Sequence, residues 1–318
     1  MPEITPPPYN AYGQWLQQRF GRRVVKIPVD AGFSCPNRDG RTGSAGCAFC
    51  VNEAFSPPAR TAASKPRRLI SPSDLRKILD AALVRRGCGN GAGRPAALIY
   101  FQPYSNTYAP VEHLRALYET ALSLPGVIGL AIGTRPDCVT AEIIELLAAL
   151  ARCAYIQLEL GLPTANDDTL RRLARGHDTA CFEATMAQSR GRGFDICAHM
   201  IAWLPGETAA DALRTAALIA AAGITGIKIH HFHVLRGSAL AAEHAFTPLH
   251  LPTMEEHVKL AADILERLPW HITVQRLASW AAAEWLVAPA WTLNANAVPP
   301  LVAKTLAGRR RRQGDLAI

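Results

Sequence analysis

Residues 24–50 read VVKIPVDAGFSCPNRDGRTGSAGCAFC, and the rest of the chain is best read outward from them. The first seven residues are rich in β-branched side chains and end at Asp30 and Gly32, the pattern of a buried strand. The residues after Gly32 have no period. Cys35 is separated by eleven residues from Cys47-x2-Cys50, with Gly32, Gly40, Gly43 and Gly46 interspersed. Such a loop can fold back on itself and aim backbone amides at sulfur or at an anion.

Beyond this loop, β-rich apolar runs recur at 96–102, 127–133, 155–162, 194–201 and 224–234, with a weaker one at 270–277. Helical patterns fill 72–86, 110–124, 140–151, 166–174, 179–192, 208–222 and 253–267. Several open on capping residues: Ser71 or Ser73, Thr140, and Thr253 with Glu256 three residues on. A succession of β–α units implies parallel strands joined by right-handed crossovers. A closed barrel needs eight units in ~250 residues. Six clear units between 24 and 234 predict a partial, open (β/α)6 barrel of the TIM type. No G-x-G-x-x-G comes after the first strand, which argues against a dinucleotide-binding sheet. The expected division is an N-terminal extension (1–23), the barrel (24–277), and a C-terminal cap with a basic tail (278–318). In barrels, chemistry gathers in the loops at the C-terminal ends of strands, where the cysteine loop lies.

With 318 residues, 49% hydrophobic and 19% charged, the chain can bury a large core, and global disorder is excluded. The longest uncharged stretch, Trp285 to Ala303, carries Pro289, Pro299 and Pro300, so no membrane span is expected. The N-terminus lacks the basic start and apolar core of a secretory signal, and a cytoplasmic protein is expected. The net charge of +8 is uneven: residues 1–70 carry +6, the last ten +3, and the remainder −1. Basic ends flanking a neutral body suit an anionic partner such as RNA, a nucleotide or phosphate.

Eight cysteines in a cytosolic chain of this size do not suggest a disulfide framework. Cys138, Cys153, Cys181 and Cys197 each stand alone and read as small buried hydrophobes, and Cys88 as a loop residue. The other three have two explanations. Structural zinc wants four ligands, and no fourth Cys or His lies nearby, the next His being His113. An iron–sulfur cluster also takes four cysteines as a rule, and three leave one iron open to a non-protein ligand.

The motifs DAGFSCPNRDG…GCAFC, FQPYSNTYAPVE, IGTRPDC, LELGL, RGHD, LPGE and KIHHFHVLRGS occur in that order over nearly the whole chain. With them the sequence resembles the radical S-adenosylmethionine (SAM) superfamily. Within it, the resemblance is to the YhcC-type family, related to the radical SAM domain of the Elongator catalytic subunit. The resemblance implies that Cys35, Cys47 and Cys50 ligate a 4Fe-4S cluster whose fourth iron is chelated by SAM. Reductive cleavage of SAM would then start radical chemistry by hydrogen abstraction. It further implies that SAM lies against Gln102, Tyr104 and Asn106 after strand two, Arg135 after strand three, Glu159 in strand four, Arg175 of RGHD and His199 of strand five. Phe49 would shelter the cluster or stack near adenine. Glu159 sits in an apolar run, and a buried carboxylate needs a partner. His230, His231 and His233 come in strand six, where a period of two sends His231 and His233 to one face. The family leaves the substrate open. RNA modification is the favoured class, with flavodoxin or ferredoxin as the expected reductant.

Three departures fall on the presumed substrate side. Pro163 stands where the family has Gln, Trp203 where it has Gly, and QRLASWAA (275–282) where it has a His- and Asp-bearing segment. They keep a second reading in play, a cluster-binding protein that has lost turnover. A third, from another class, is a non-catalytic RNA-binding protein with zinc in the cysteine loop.

Overall fold

The computed structural model describes residues 8–55 and 68–317. Residues 1–7 and the basic positions Arg60, Lys65 and Arg67 therefore lie outside the described residues. The frame is a seven-stranded, all-parallel sheet of β1 (Val24–Val29), β2 (Ala96–Phe101), β3 (Val127–Thr134), β4 (Tyr155–Gly161), β5 (Asp195–Ala202), β6 (Gly226–His231) and β8 (Thr273–Arg276). The strands lie side by side in chain order, and β1 is not paired with β8, so the sheet curls into an open barrel. The weak run at 270–277 thus supplies a seventh strand, short because its last pairing slips register opposite Lys228.

The helices cover the outer face: α2 (Pro72–Arg86), α3 (Val111–Leu122), α4 (Ala141–Ala151), α5 (Asp167–Arg172), α6 (Thr179–Ser189), α7 (Ala209–Ala221) and α9 (Met254–Arg267). Ile99, Ile132, Leu158, Ala198 and Ile229 point outward from the strands. They pack against Leu79, Leu117, Leu147, Phe182, Ile219 and Leu265 in one continuous core. The caps agree with the sequence: Ser71, Thr140 and Thr253 each accept from the backbone three residues on, and Thr253 completes a capping box with Glu256.

Helix α1 (Tyr12–Phe20), within the N-terminal extension, plugs the N-terminal end of the barrel. Tyr12 and Leu16 pack on Leu98, Ala131 and Tyr155, and the Tyr12 hydroxyl meets Tyr155 Oη at 3.2 Å and Gln157 Oε1 at 3.3 Å. Just before it, Asn10 O accepts from Val274 N at 2.8 Å, covering part of the edge of β8. After β6 the chain forms a small antiparallel pair, β7 (Val234–Leu235) with β9 (Leu286–Ala288), and helix α8 (Ala239–Phe246). His233 therefore lies beyond strand six, not on it.

Helix α10 (Val298–Gly308) packs on α9, and the basic tail is docked. Arg309 Nη1 bridges Asp263 (2.7 Å) and Glu266 (2.9 Å), Arg312 lies over Trp270, and Gln313 is buried. Among the lone cysteines, Cys138 and Cys197 are buried as expected and Cys181 is half-buried. Cys153 is exposed, because it sits in the turn after α4 and not on its inner face. No helix among the described residues is long and apolar enough to cross a membrane.

Candidate active site

At the C-terminal mouth of the sheet, the cysteine loop is tied to the turn that ends α5. Asn37 is the staple. Its Nδ2 donates to Ala174 O (2.6 Å) and Arg175 O (3.0 Å) and faces Cys47 Sγ at 3.4 Å, while its Oδ1 accepts from Thr42 Oγ1 at 2.6 Å. The two segments approach so closely that a Cβ at Gly176 would lie 2.5 Å from Asn37 Oδ1. Gly176 also has a φ of +76°, a conformation glycine adopts freely.

Two guanidinium groups face the sulfurs. Arg135 Nη1 is 3.9 Å from Cys35 Sγ, and its Nε and Nη2 clasp both carboxylate oxygens of Asp137 at 2.8 Å. Burial pushes the Asp137 carboxyl up, but the hydrogen bonds and charge of Arg135 outweigh it and hold the group ionised. Arg175 Nη1 is 3.6 Å from Cys47 Sγ, and Nη2 donates to Gly161 O at 2.8 Å. Its Nε donates to His177 Nε2 at 2.9 Å, which leaves the His177 proton on Nδ1. Burial, then the Arg175 charge, lowers His177 to about 4, so the ring stays neutral.

The donor set fits an iron–sulfur cluster. Burial, then Cys47, pushes the Cys50 thiol up to about 12, so a bound cation is what would ionise it. Cys35 also acts on Cys50, which places the three thiols within electrostatic reach of one another. Among the described residues, no three His, Cys, Asp or Glu side chains converge on a point for a single metal ion. Thiols that each serve a different iron have no need to converge. Cationic and amide donors on the sulfurs suit the negative charge of a thiolate-bound cluster.

A cavity of about 250 Å3 opens beside Cys50 and runs into the barrel. Gln102, Tyr104, Glu159, Arg175 and His199 all line it. Asn106 and Arg135 do not. Asn106 is fully buried, its Nδ2 donating to Pro103 O and Gly133 O, and it shapes the loop after β2 from behind. Tyr104 holds that loop from the front, donating to Glu53 Oε1 at 3.1 Å. Phe49 lines the mouth, against the apolar group of Leu173, Leu204 and Phe232. His230, His231 and His233 all reach the lining, although His231 is bonded to Thr292 Oγ1 at 2.9 Å and packed on Trp291. Pro163 lines the cavity. Trp203 does not: it meets His250 edge to face at 6.1 Å, with a φ of +68° that explains why glycine suits the position better.

Sequence reasoning missed the partners of Glu159. This carboxylate is fully enclosed, with Lys26 on Oε1 and Lys228 Nζ (2.5 Å) and His199 Nε2 (2.8 Å) on Oε2. Burial opposes its charge, but Lys228, Lys26 and His199 outweigh it and hold the carboxyl well below its usual range. Burial, then Lys228, lowers His199 to about 4, so a neutral ring donates its Nε2 proton to the carboxylate. Lys228 is itself pushed down to about 7 by burial, against the pull of Glu159. The Tyr100 ring lies between the two ammonium groups, 4.1 Å from Lys26 and 4.6 Å from Lys228. The available signal was three strands with one charged residue each at an inward position: Lys26, Glu159 and Lys228.

The fold and site together define a class: open parallel barrels whose first loop gathers three cysteines beside a cavity at the strands' C-terminal ends. Residues 37–219 match the family model of the radical SAM superfamily, and residues 224–307 match that of the Radical SAM C-terminal domain. The chain belongs to the radical SAM superfamily and, within it, to the YhcC family. It is 37% identical over 286 residues to Protein YhcC of Escherichia coli K12, spanning 90% of this chain and 88% of that one. It is 32% identical over 306 residues to the uncharacterized protein YtqA of Bacillus subtilis, spanning 96% and 92%. Among solved structures it is similar in fold to the Elp3 of the archaeon Methanocaldococcus infernus (TM-score 0.63, 14% identity, 91% of this chain and 64% of that one). It is also similar to Streptococcus suis SuiB bound to S-adenosylmethionine (TM-score 0.53, 12% identity, 83% and 53%). This chain thus spans less than two-thirds of either solved chain.

Proposed function

We propose that this protein is an enzyme that holds a 4Fe-4S cluster on Cys35, Cys47 and Cys50, binds SAM in the adjoining cavity and begins catalysis by hydrogen abstraction. The observation that carries this reading is the shared guanidinium of Arg175, set between Cys47 Sγ and the carbonyl that ends β4. Bound there, the cluster would supply the single electron that cleaves SAM reductively. The protein's own part is positional. Asn37 and Gly176 fix the loop, Arg135 and Arg175 neutralise negative charge at the sulfurs, and Phe49 screens the mouth from water. Flavodoxin or ferredoxin would deliver the electron.

Anaerobic protein reconstituted with iron and sulfide, reduced with dithionite and given SAM should form 5′-deoxyadenosine, and Cys35→Ala should abolish it. Stoichiometric zinc with no iron–sulfur absorbance would overturn the assignment. A complete cluster without product would point to lost turnover, with Pro163→Gln as the variant that restores it.

RNA is the macromolecular substrate class favoured by the basic ends. Part of that charge is used internally, since Arg309 is paired with Asp263 and Glu266, which leaves Arg310, Arg311 and Arg312 exposed. Binding of tRNA that weakens steeply with salt and with Arg310→Ala/Arg311→Ala would support RNA. Binding indifferent to both would remove it.

A further inference from the structure

The two walls of the cavity differ in how their charges are matched. On the cysteine side, Arg175 is held by Cys47 Sγ, Gly161 O and His177 Nε2, and behind that wall Arg135 is paired with Asp137. On the opposite side, two lysines share one carboxylate. Lys26 and Lys228 both pair with Glu159, and no second acid is paired with either lysine among the described residues.

Arg276 adds to the surplus. It is the register partner of Lys228 on the neighbouring strand β8, lines the cavity, and forms no ion pair among the described residues. The Arg276 charge acts on Lys228, and an anion held between the two would relieve that repulsion. One further donor position is open. Lys228 has three N–H groups, of which one meets Glu159 Oε2 and another Tyr100 Oη at 3.2 Å. Two residues along β6, His230 fixes its Nδ1 on Ser279 Oγ at 3.0 Å, while its Nε2 is buried with no partner. A buried polar atom left unsatisfied is costly unless a ligand completes it.

We propose that the β6–β8 wall of the cavity binds an anionic group of a small substrate, a carboxylate or a phosphate ester, through Lys228 and Arg276, with His230 Nε2 left to accept from a hydroxyl of the same molecule. A cavity of about 250 Å3 takes a small molecule or one terminal group of a larger one. The assignment rests on the same cavity being the radical SAM active site, but anion binding can be measured without a cluster.

The test is calorimetric titration of the purified full chain with inorganic phosphate and, separately, with malonate, near pH 6.5 and at low salt. Saturable one-to-one binding of either anion is expected. Arg276→Gln and Lys228→Met should each weaken it by about tenfold or more, the scale of one charge-assisted hydrogen bond. Lys259→Gln, on the exposed face of α9 and away from the cavity, should leave it unchanged. Phosphate binding alone would assign a phosphate ester and malonate alone a carboxylic acid. Arg276 is exposed, so its variant stays folded even if Lys228→Met does not. No saturable binding of either anion, or wild-type affinity in Arg276→Gln, would overturn the proposal. So would binding of a short RNA oligonucleotide, dependent on Arg276, where neither small anion binds. A second titration uses reconstituted protein with SAM. Displacement of the anion by SAM would reassign the wall to the cofactor's own carboxylate, and simultaneous binding supports a substrate subsite. Failure to assemble a cluster would sink the proposed function and leave the first titration standing.

Discussion

Arg175 Nη1 stands 3.6 Å from Cys47 Sγ while the same guanidinium donates to the carbonyl of Gly161, so one side chain joins the cysteine loop to the end of the fourth strand. A cation beside a thiolate ligand favours the more negative, reduced state of a cluster. Arg175→Gln should therefore assemble iron but shift the midpoint potential to a more negative value. A redox titration monitored by EPR reads this directly, and an unchanged potential would show that the guanidinium serves only the backbone.

Gly176→Ala tests the clamp between the two segments. Its Cβ would enter the space of Asn37 Oδ1 at 2.5 Å, at a φ of +76°. The expected result is a loss of about 1–3 kcal/mol in stability together with poor iron retention after reconstitution. Gly191, whose Cβ would meet nothing within 4 Å, shares the positive φ and isolates the backbone cost.

Lys228 makes stability depend on pH. Its folded value is pushed to about 7, whereas the ordinary lysine value is 10.5. Between these values the unfolded chain holds a proton that the folded chain has released, so this group makes stability rise with pH across the window. Below about pH 7 the buried ammonium must be charged in both states, and the contribution is lost. Denaturant melts at pH 7.0 and 9.0 should show a smaller pH difference for Lys228→Met than for the wild type. Equal differences would mean that Lys228 titrates near its ordinary value.

Gln313 anchors the basic tail. Its Nε2 donates to Pro269 O and Ile272 O, and its Oε1 accepts from Asn10 N, joining the two ends of the chain. Gln313→Ala leaves these groups without their partner and should cost ~2 kcal/mol, measurable as a lower denaturation midpoint with an unchanged slope. Cleavage by trypsin at Arg310 and Arg311 should speed up in the same variant.

The strands were legible because parallel strands covered on both faces read as nearly continuous apolar runs, as AALIYF does, while YIQLELG alternates around Gln157 and Glu159. The helices were legible from caps and period. The seventh strand was faint because it has only four residues, three of them paired with β6. The packing of α1 was invisible for another reason: YGQWLQQRF is short, and its apolar face has meaning only once a barrel exists to be plugged. The cysteines declared themselves by spacing and glycine content. Glu159 reads as a carboxylate in need of a partner, but Lys26 and Lys228 lie 133 and 69 residues away, and no local pattern links them. Asn37, close to Cys35 in sequence, gives no signal of its own, because a loop asparagine carries no period and its partners are carbonyls.

The barrel has no closing seam, since β1 and β8 do not pair. A closed barrel fixes its own radius by hydrogen bonding around the full circle. This one is a bow, and the line Lys26–Glu159–Lys228 is its string, drawn from the first strand through the fourth to the sixth. A single carboxylate therefore ties together, across the inner face, strands that no hydrogen-bonded seam joins.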